Sequence, residues 1–164
     1  MPKQYYKAST FRAQMSLGYL LRRAYSLMTD VVEPLLAERG FSFVQYIVLM
    51  AVRDGVAVNP KDLCGQLRHD SGALTRVIDQ LAERGLLERE RRDRDRRKVR
   101  LQITTAGREA LDGVIPIVVD QLNEALRDFS TEEVHEFKRL IGKLNTRLQA
   151  NVEAAHAPAA KASA

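Results

Sequence analysis

The stretch Asp70–Thr104 places the tightest limits on the fold. In order it reads as an amphipathic helix, a glycine stop, a strand, an arginine-rich hairpin and a second strand. Leu74, Val77, Ile78 and Leu81 fall at i, i+3, i+4 and i+7, the spacing of one buried helix face. Asp70 or Ser71 can accept from the orphan amides of the first turn, and Gly85 can close the helix in the left-handed conformation. The outward residues are then Ser71, Ala73, Thr75, Arg76, Asp79 and Gln80, small or polar groups able to approach a base edge. Leu86–Arg89 and Val99–Ile103 read as strands, with Val99, Leu101 and Ile103 alternating onto one face. The ribbon they form carries Arg89, Arg91, Arg92, Arg94, Arg96, Arg97, Lys98 and Arg100.

The residues just upstream give this stretch its context. Asn59-Pro60-Lys61-Asp62 is a helix start, with Asn as cap, Pro at the first helical position and Asp in the first turn. The helix runs from Pro60 to about Arg68, with Leu63, Cys64 and Leu67 inward. Two short helices joined by His69-Asp70 match a helix-turn-helix. With the basic ribbon after it, the layout is that of a winged helix-turn-helix that contacts DNA. Val56–Val58 is long enough for one further short strand, so a three-stranded wing region is predicted.

The flanks are helical. A pattern from about Phe11 to Ala37 is predicted to kink or break near Glu33, before Pro34. Ser42 can cap a helix through about Arg53, and Asp54-Gly55 marks a turn. Thr104 or Thr105 opens a helix through about Arg127, bent at Pro116. Ser130-Thr131-Glu132-Glu133 is a capping-box start. The last helix, to about Ala150, carries Val134, Phe137, Ile141, Leu144 and Leu148 as a heptad seam. The fold class expected is mainly α (α+β). A winged lobe at 42–104 lies between the two parts of a helical dimerisation region, 1–41 and 105–150, and a mobile tail occupies 151–164.

Charge agrees with an anionic partner. Lys+Arg minus Asp+Glu is 26 − 21 = +5 over the whole chain. The window Arg84–Arg100 holds nine basic and four acidic residues, 9 − 4 = +5, so it accounts for the entire excess. The single cysteine, Cys64, excludes a disulfide framework and fits a reducing cytoplasm. The opening MPKQYYKAST lacks the apolar core of a signal peptide, and the apolar runs are too short to span a bilayer. His69, His135 and His156 are far apart and lack the spacing of a metal site. No catalytic motif can be assembled, so an enzyme and a cofactor are not expected.

DSGALTRVIDQLAERGLLER followed by DRDRRKVRLQITTAG resembles the MarR family of dimeric winged-helix transcription regulators. The family's wing pattern, Asp-x-Arg before a strand and then L-T-x-x-G, is met by Asp95-Arg96-Arg97, Val99–Ile103 and Ile103-Thr104-Thr105-Ala106-Gly107, with Ile in place of Leu. The order of elements agrees from about residue 15 to 150. The resemblance implies that Arg97 enters the minor groove and that Asp95 orients it. It also implies that Ser71, Thr75 and Arg76 meet the major groove and that Arg94 and Arg96 contact phosphates. It implies a homodimer on a pseudo-palindromic site in double-stranded DNA, commonly a repressor, released by a small aromatic carboxylate or phenolic effector. Tyr19, Arg22, Arg23, Tyr46, Met50 and His69 are the candidate effector-lining groups, set against a plain reading of Tyr46 and Met50 as core and the arginines as surface. Some relatives use a cysteine as a redox sensor, but Cys64, on the apolar side of its helix, reads as an inert thiol. Two other classes stay open: an architectural protein that coats DNA without sequence choice, and a protein-interaction module built on the same fold.

Overall fold

The computed structural model describes residues 4–67, 69–91 and 99–156. Two 3-10 turns, Ala8–Thr10 and Ala13–Met15, lead into α1, Leu17–Ala37. Helix α1 therefore starts later than the apolar pattern from Phe11 predicts. The start is fixed by capping: Ser16 Oγ accepts from Tyr19 N at 3.3 Å, and Tyr6 Oη accepts from Leu17 N at 3.0 Å. Pro34 does not end the helix at Glu33. It lies in the last turn, and the helix continues to Ala37, so its missing donor forfeits a bond only near the end. Gly40, at φ 74°, turns the chain into α2, Phe43–Arg53. There Ser42 and Gln45 form a capping box, and Glu33 Oε2 accepts from Phe43 N at 3.0 Å.

Helices α3, Pro60–Leu67, and α4, Ser71–Glu83, form the helix-turn-helix. Asn59 caps the first, its Oδ1 accepting from Asp62 N at 2.9 Å, and Asp70 caps the second through Ala73 N at 2.9 Å. Gly85, at φ 69°, closes α4 and directs the chain into β1, Leu87–Arg91, which pairs antiparallel with β2, Val99–Ile103. The register sets Leu87 against Ile103 and Arg91 against Val99.

The predicted third strand at Val56–Val58 does not form, and the sheet has two strands among the described residues. Ala57 N is already committed to the carbonyl of Ala51 at 3.2 Å, closing the end of α2, and Asn59 starts the next helix at once. What remains of the ladder is one bond, from Leu101 N to Val58 O at 2.8 Å.

After β2, Thr104 caps α5, Thr105–Asp112, and α6 follows at Ile115–Ala125. The single long helix bent at Pro116 is thus two helices, divided at Gly113-Val114. Pro116 is the second residue of α6, where the missing N–H costs nothing. Helix α7, Thr131–His156, begins with the predicted Ser130–Glu133 capping box and runs past Ala150.

By contact density the chain divides into two units, residues 1–122 and 123–164. The first holds the core: Leu36, Val48, Leu49, Leu63, Leu74, Ile78, Leu81, Leu101 and Leu111 are its most deeply buried side chains. Each such leucine or isoleucine contributes about 1.5–3 kcal/mol of burial. The α4 stripe read from sequence is there, with Leu74, Ile78 and Leu81 buried and Val77 packed against the cluster. No polar or charged side chain is buried among the described residues. In the second unit, α7 exposes Phe137, Leu140 and Leu148, while Val134, Ile141 and Leu144 are half-buried.

Gly107 explains the glycine at the end of the Ile103–Gly107 motif. A Cβ there would collide with the Leu86 carbonyl oxygen and meet Ile103 Cγ1 at 2.8 Å. Thr104 joins the same junction. Its hydroxyl donates to Gly85 O at 2.7 Å and accepts from Gly107 N at 3.0 Å, while its own N–H reaches Leu86 O at 3.2 Å. The exit from α4, the base of the ribbon and the first turn of α5 are held by one residue.

Candidate nucleic-acid interface

Helix α4 has a core-facing stripe, a side committed to its neighbours and an open side. The open side bears Ser71, Thr75 and Arg76, all exposed. The Thr75 hydroxyl donates to Ser71 O at 2.7 Å, which orients it and leaves its lone pairs outward. Arg76 has no hydrogen-bond or ion-pair partner among the described residues.

Two residues assigned to the outward face belong to the committed side instead. Asp79 is half-buried and forms an ion pair with Arg89 of β1, because β1 leaves Gly85 alongside α4. Arg89 is therefore neutralised and is withdrawn from the free positive charge of the ribbon. Gln80 Oε1 accepts from Gln45 Nε2 at 3.1 Å. Arg84, at the end of α4, donates to Gly40 O at 2.9 Å and Gln45 Oε1 at 3.3 Å, and lies 4.6 Å from the centre of the Phe41 ring. Sequence could show Gln45 as the third residue of a capping box. Its second partner, 35 positions away, leaves no local signal.

Arg100, on β2, is exposed. Arg94, Asp95, Arg96 and Arg97, assigned to the wing, lie outside the described residues, as do Arg68, Arg92 and Lys98.

The candidate effector-lining groups are Tyr19, Arg22, Arg23, Tyr46, Met50 and His69. A surface cavity of about 280 Å³ is lined by Arg22, Tyr25, Ser26, Thr29 and Asp30, so of the six it includes Arg22. Tyr25 packs edge-on against Phe43 at 6.0 Å between ring centres, and Phe43 lies 6.4 Å from Tyr46. Sequence reasoning missed Tyr25, which sits one helical turn from Arg22 on the same face of α1. Tyr46 and Met50 are half-buried against the core, whereas Tyr19, Arg23 and His69 are exposed. Burial pushes the Tyr46 phenol above its ordinary pKa, partly opposed by the positive charge of Arg53. Cys64 is a free thiol, half-buried against the core. Among the described residues there is no group of three His, Cys, Asp or Glu able to hold a metal ion, and no helix is long and apolar enough to cross a membrane.

A helix-turn-helix whose second helix exposes small polar groups and an unpaired arginine, beside an antiparallel basic ribbon, defines a winged-helix DNA-binding protein. The MarR family profile matches residues 39–98. The transcriptional repressor MprA of Escherichia coli is 29% identical over 137 residues, spanning 82% of this chain and 78% of MprA. A crystal structure of a mutant MarR from E. coli complexed with operator DNA superposes with a TM-score of 0.68 at 27% identity, covering 79% of this chain and 94% of that one. BpsR of Bordetella bronchiseptica, whose DNA binding is regulated by 6-hydroxynicotinic acid, superposes with a TM-score of 0.70 at 25% identity, over 82% and 96% of the two chains. The chain is thus similar to MarR-family winged-helix transcription regulators in both sequence and fold.

Proposed function

We propose that this chain is a MarR-family repressor that binds a pseudo-palindromic operator as a homodimer in the cytoplasm and leaves it when a small aromatic acid or phenol binds. The observation that carries the reading is the open side of α4. Ser71, Thr75 and Arg76 are presented free of intramolecular ion pairs, on a helix whose Asp79 and Gln80 are tied to the lobe. Those three read bases in the major groove. Arg97, oriented by Asp95, takes the minor groove, and Arg94 and Arg96 take phosphates. The relatives that are repressors support the sign of regulation.

The dimer reading draws on the apolar side chains that α1 leaves exposed, Leu17, Leu20, Leu27, Met28 and Val31 among them. With residues 1–41 and 105–150 as the frame, a two-fold dimer sets its recognition helices roughly 10 bp apart. The effector reading draws on the regulation of BpsR by an aromatic hydroxy acid, and on the α1 cavity, where Arg22 stands beside the Tyr25 ring and suits a carboxylate.

Selection of bound duplexes from a random pool, repeated with a panel of aromatic acids and phenols, tests the whole reading. The expected result is a palindromic consensus lost with one compound. In a fluorescence-anisotropy titration, Arg97→Ala should lose most of its operator affinity with the dimer intact, and wild-type affinity would remove the wing assignment. Equal affinity for every duplex would favour the architectural alternative.

A further inference from the structure

Arg84 is exposed on a DNA-binding lobe, yet its guanidinium is turned inward. It donates to Gly40 O and Gln45 Oε1 and covers the Phe41 ring, while Gln45 reaches back to Gln80, one turn before Arg84 on α4. The C-terminal turn of α4 is thereby clamped to the α1–α2 turn. That turn is fixed to α1 in its own right: Arg39 N and Phe41 N both donate to Leu36 O at 3.0 Å, and Gly40 N to Ala37 O at 2.9 Å.

We propose that Arg84 and Gln45 are positioning residues that set the tilt of the recognition helix from the α1–α2 turn, and so choose the half-site spacing the dimer accepts. The proposal rests on the functional reading above. The lever is geometric. Helix α4 has 13 residues, and at 1.5 Å per residue it is about 20 Å long. The clamp holds its C-terminal end, whereas Ser71, Thr75 and Arg76 lie in its first two turns. A tilt of about 10° at the clamp displaces that far end by about 3.4 Å, the rise of one base pair. The chain that delivers the tilt continues into α1, which carries the exposed apolar side chains assigned to the dimer. Neither clamp residue needs to touch DNA, because each acts by fixing where the three readers stand.

The random-pool selection is repeated with Arg84→Ala, Arg84→Lys and Gln45→Ala, and each product is titrated by anisotropy against duplexes with the spacer lengthened or shortened by one base pair. The variants should recover the wild-type half-site sequence but with mixed spacer lengths. They should lose about tenfold in affinity at the wild-type spacing, while binding random duplex like wild type. Arg84→Lys keeps the charge but loses the planar guanidinium that covers the Phe41 ring and carries Nη1 to both carbonyl oxygens, so it should behave as Arg84→Ala does. Gln45→Ala leaves Arg84 on Gly40 and Phe41 and carries the test if Arg84→Ala does not fold. Variants that keep the wild-type spacing preference, whatever their affinity, overturn the proposal. A wild-type selection without any consensus would instead remove the functional reading on which it rests.

Discussion

Glycine at position 107 and the side chains of α4 show how much a single residue decides here. Gly107 is required by contact rather than by a turn: a methyl group would press into the Leu86 carbonyl and Ile103. Gly107→Ala should cost about 1–3 kcal/mol, as overpacking of a tight junction does, and urea unfolding monitored by circular dichroism would measure it. Wild-type stability would mean that the α5 junction has slack. The motif Ile103–Gly107 was legible in the sequence, and so were the caps at Ser42, Asn59, Asp70, Thr104 and Ser130, because a cap and its amide lie within three residues. The committed side of α4 was not legible. Asp79 and Gln80 have partners ten and thirty-five positions away, so the helical wheel alone left them facing outward.

At the scale of elements, α4 depends on Asp70 more than on its own propensity. With Thr75 and β-branched Val77 and Ile78 within 13 residues, the helix is weak by composition, and its cap and buried stripe hold it. Asp70→Ala should destabilise the lobe by about 1 kcal/mol and Asp70→Asn should restore it, since asparagine caps as well as aspartate. Thermal melts of the three proteins give the comparison, and equal loss in both variants would assign the effect to charge. Helix identity and order were readable from periodicity, while several boundaries were not. The late start of α1 depends on Tyr6, eleven residues before Leu17, and the division at Gly113-Val114 was masked by an apolar pattern that runs on through Pro116. The third strand failed for a similar reason: its donor Ala57 N was claimed by α2.

The whole molecule is organised around apolar surface that its core does not use. The core of the first unit is complete without Leu20 and Leu27 of α1, which are 48% and 54% exposed. Exposure on this scale marks an interaction surface. Leu27→Glu should give a folded monomer in sedimentation velocity and lose the palindromic operator while retaining salt-dependent binding to random duplex. A dimer of unchanged affinity would move the frame elsewhere. The same molecule also contains one economy at the base of its ribbon. Because the Thr104 hydroxyl serves the Gly85 carbonyl and the Gly107 amide together, the root of the hairpin and the first turn of α5 share one anchor. Hydrogen exchange should accordingly show the amides on both sides of that anchor opening together. The root of the ribbon and the start of α5 are therefore coupled through one residue.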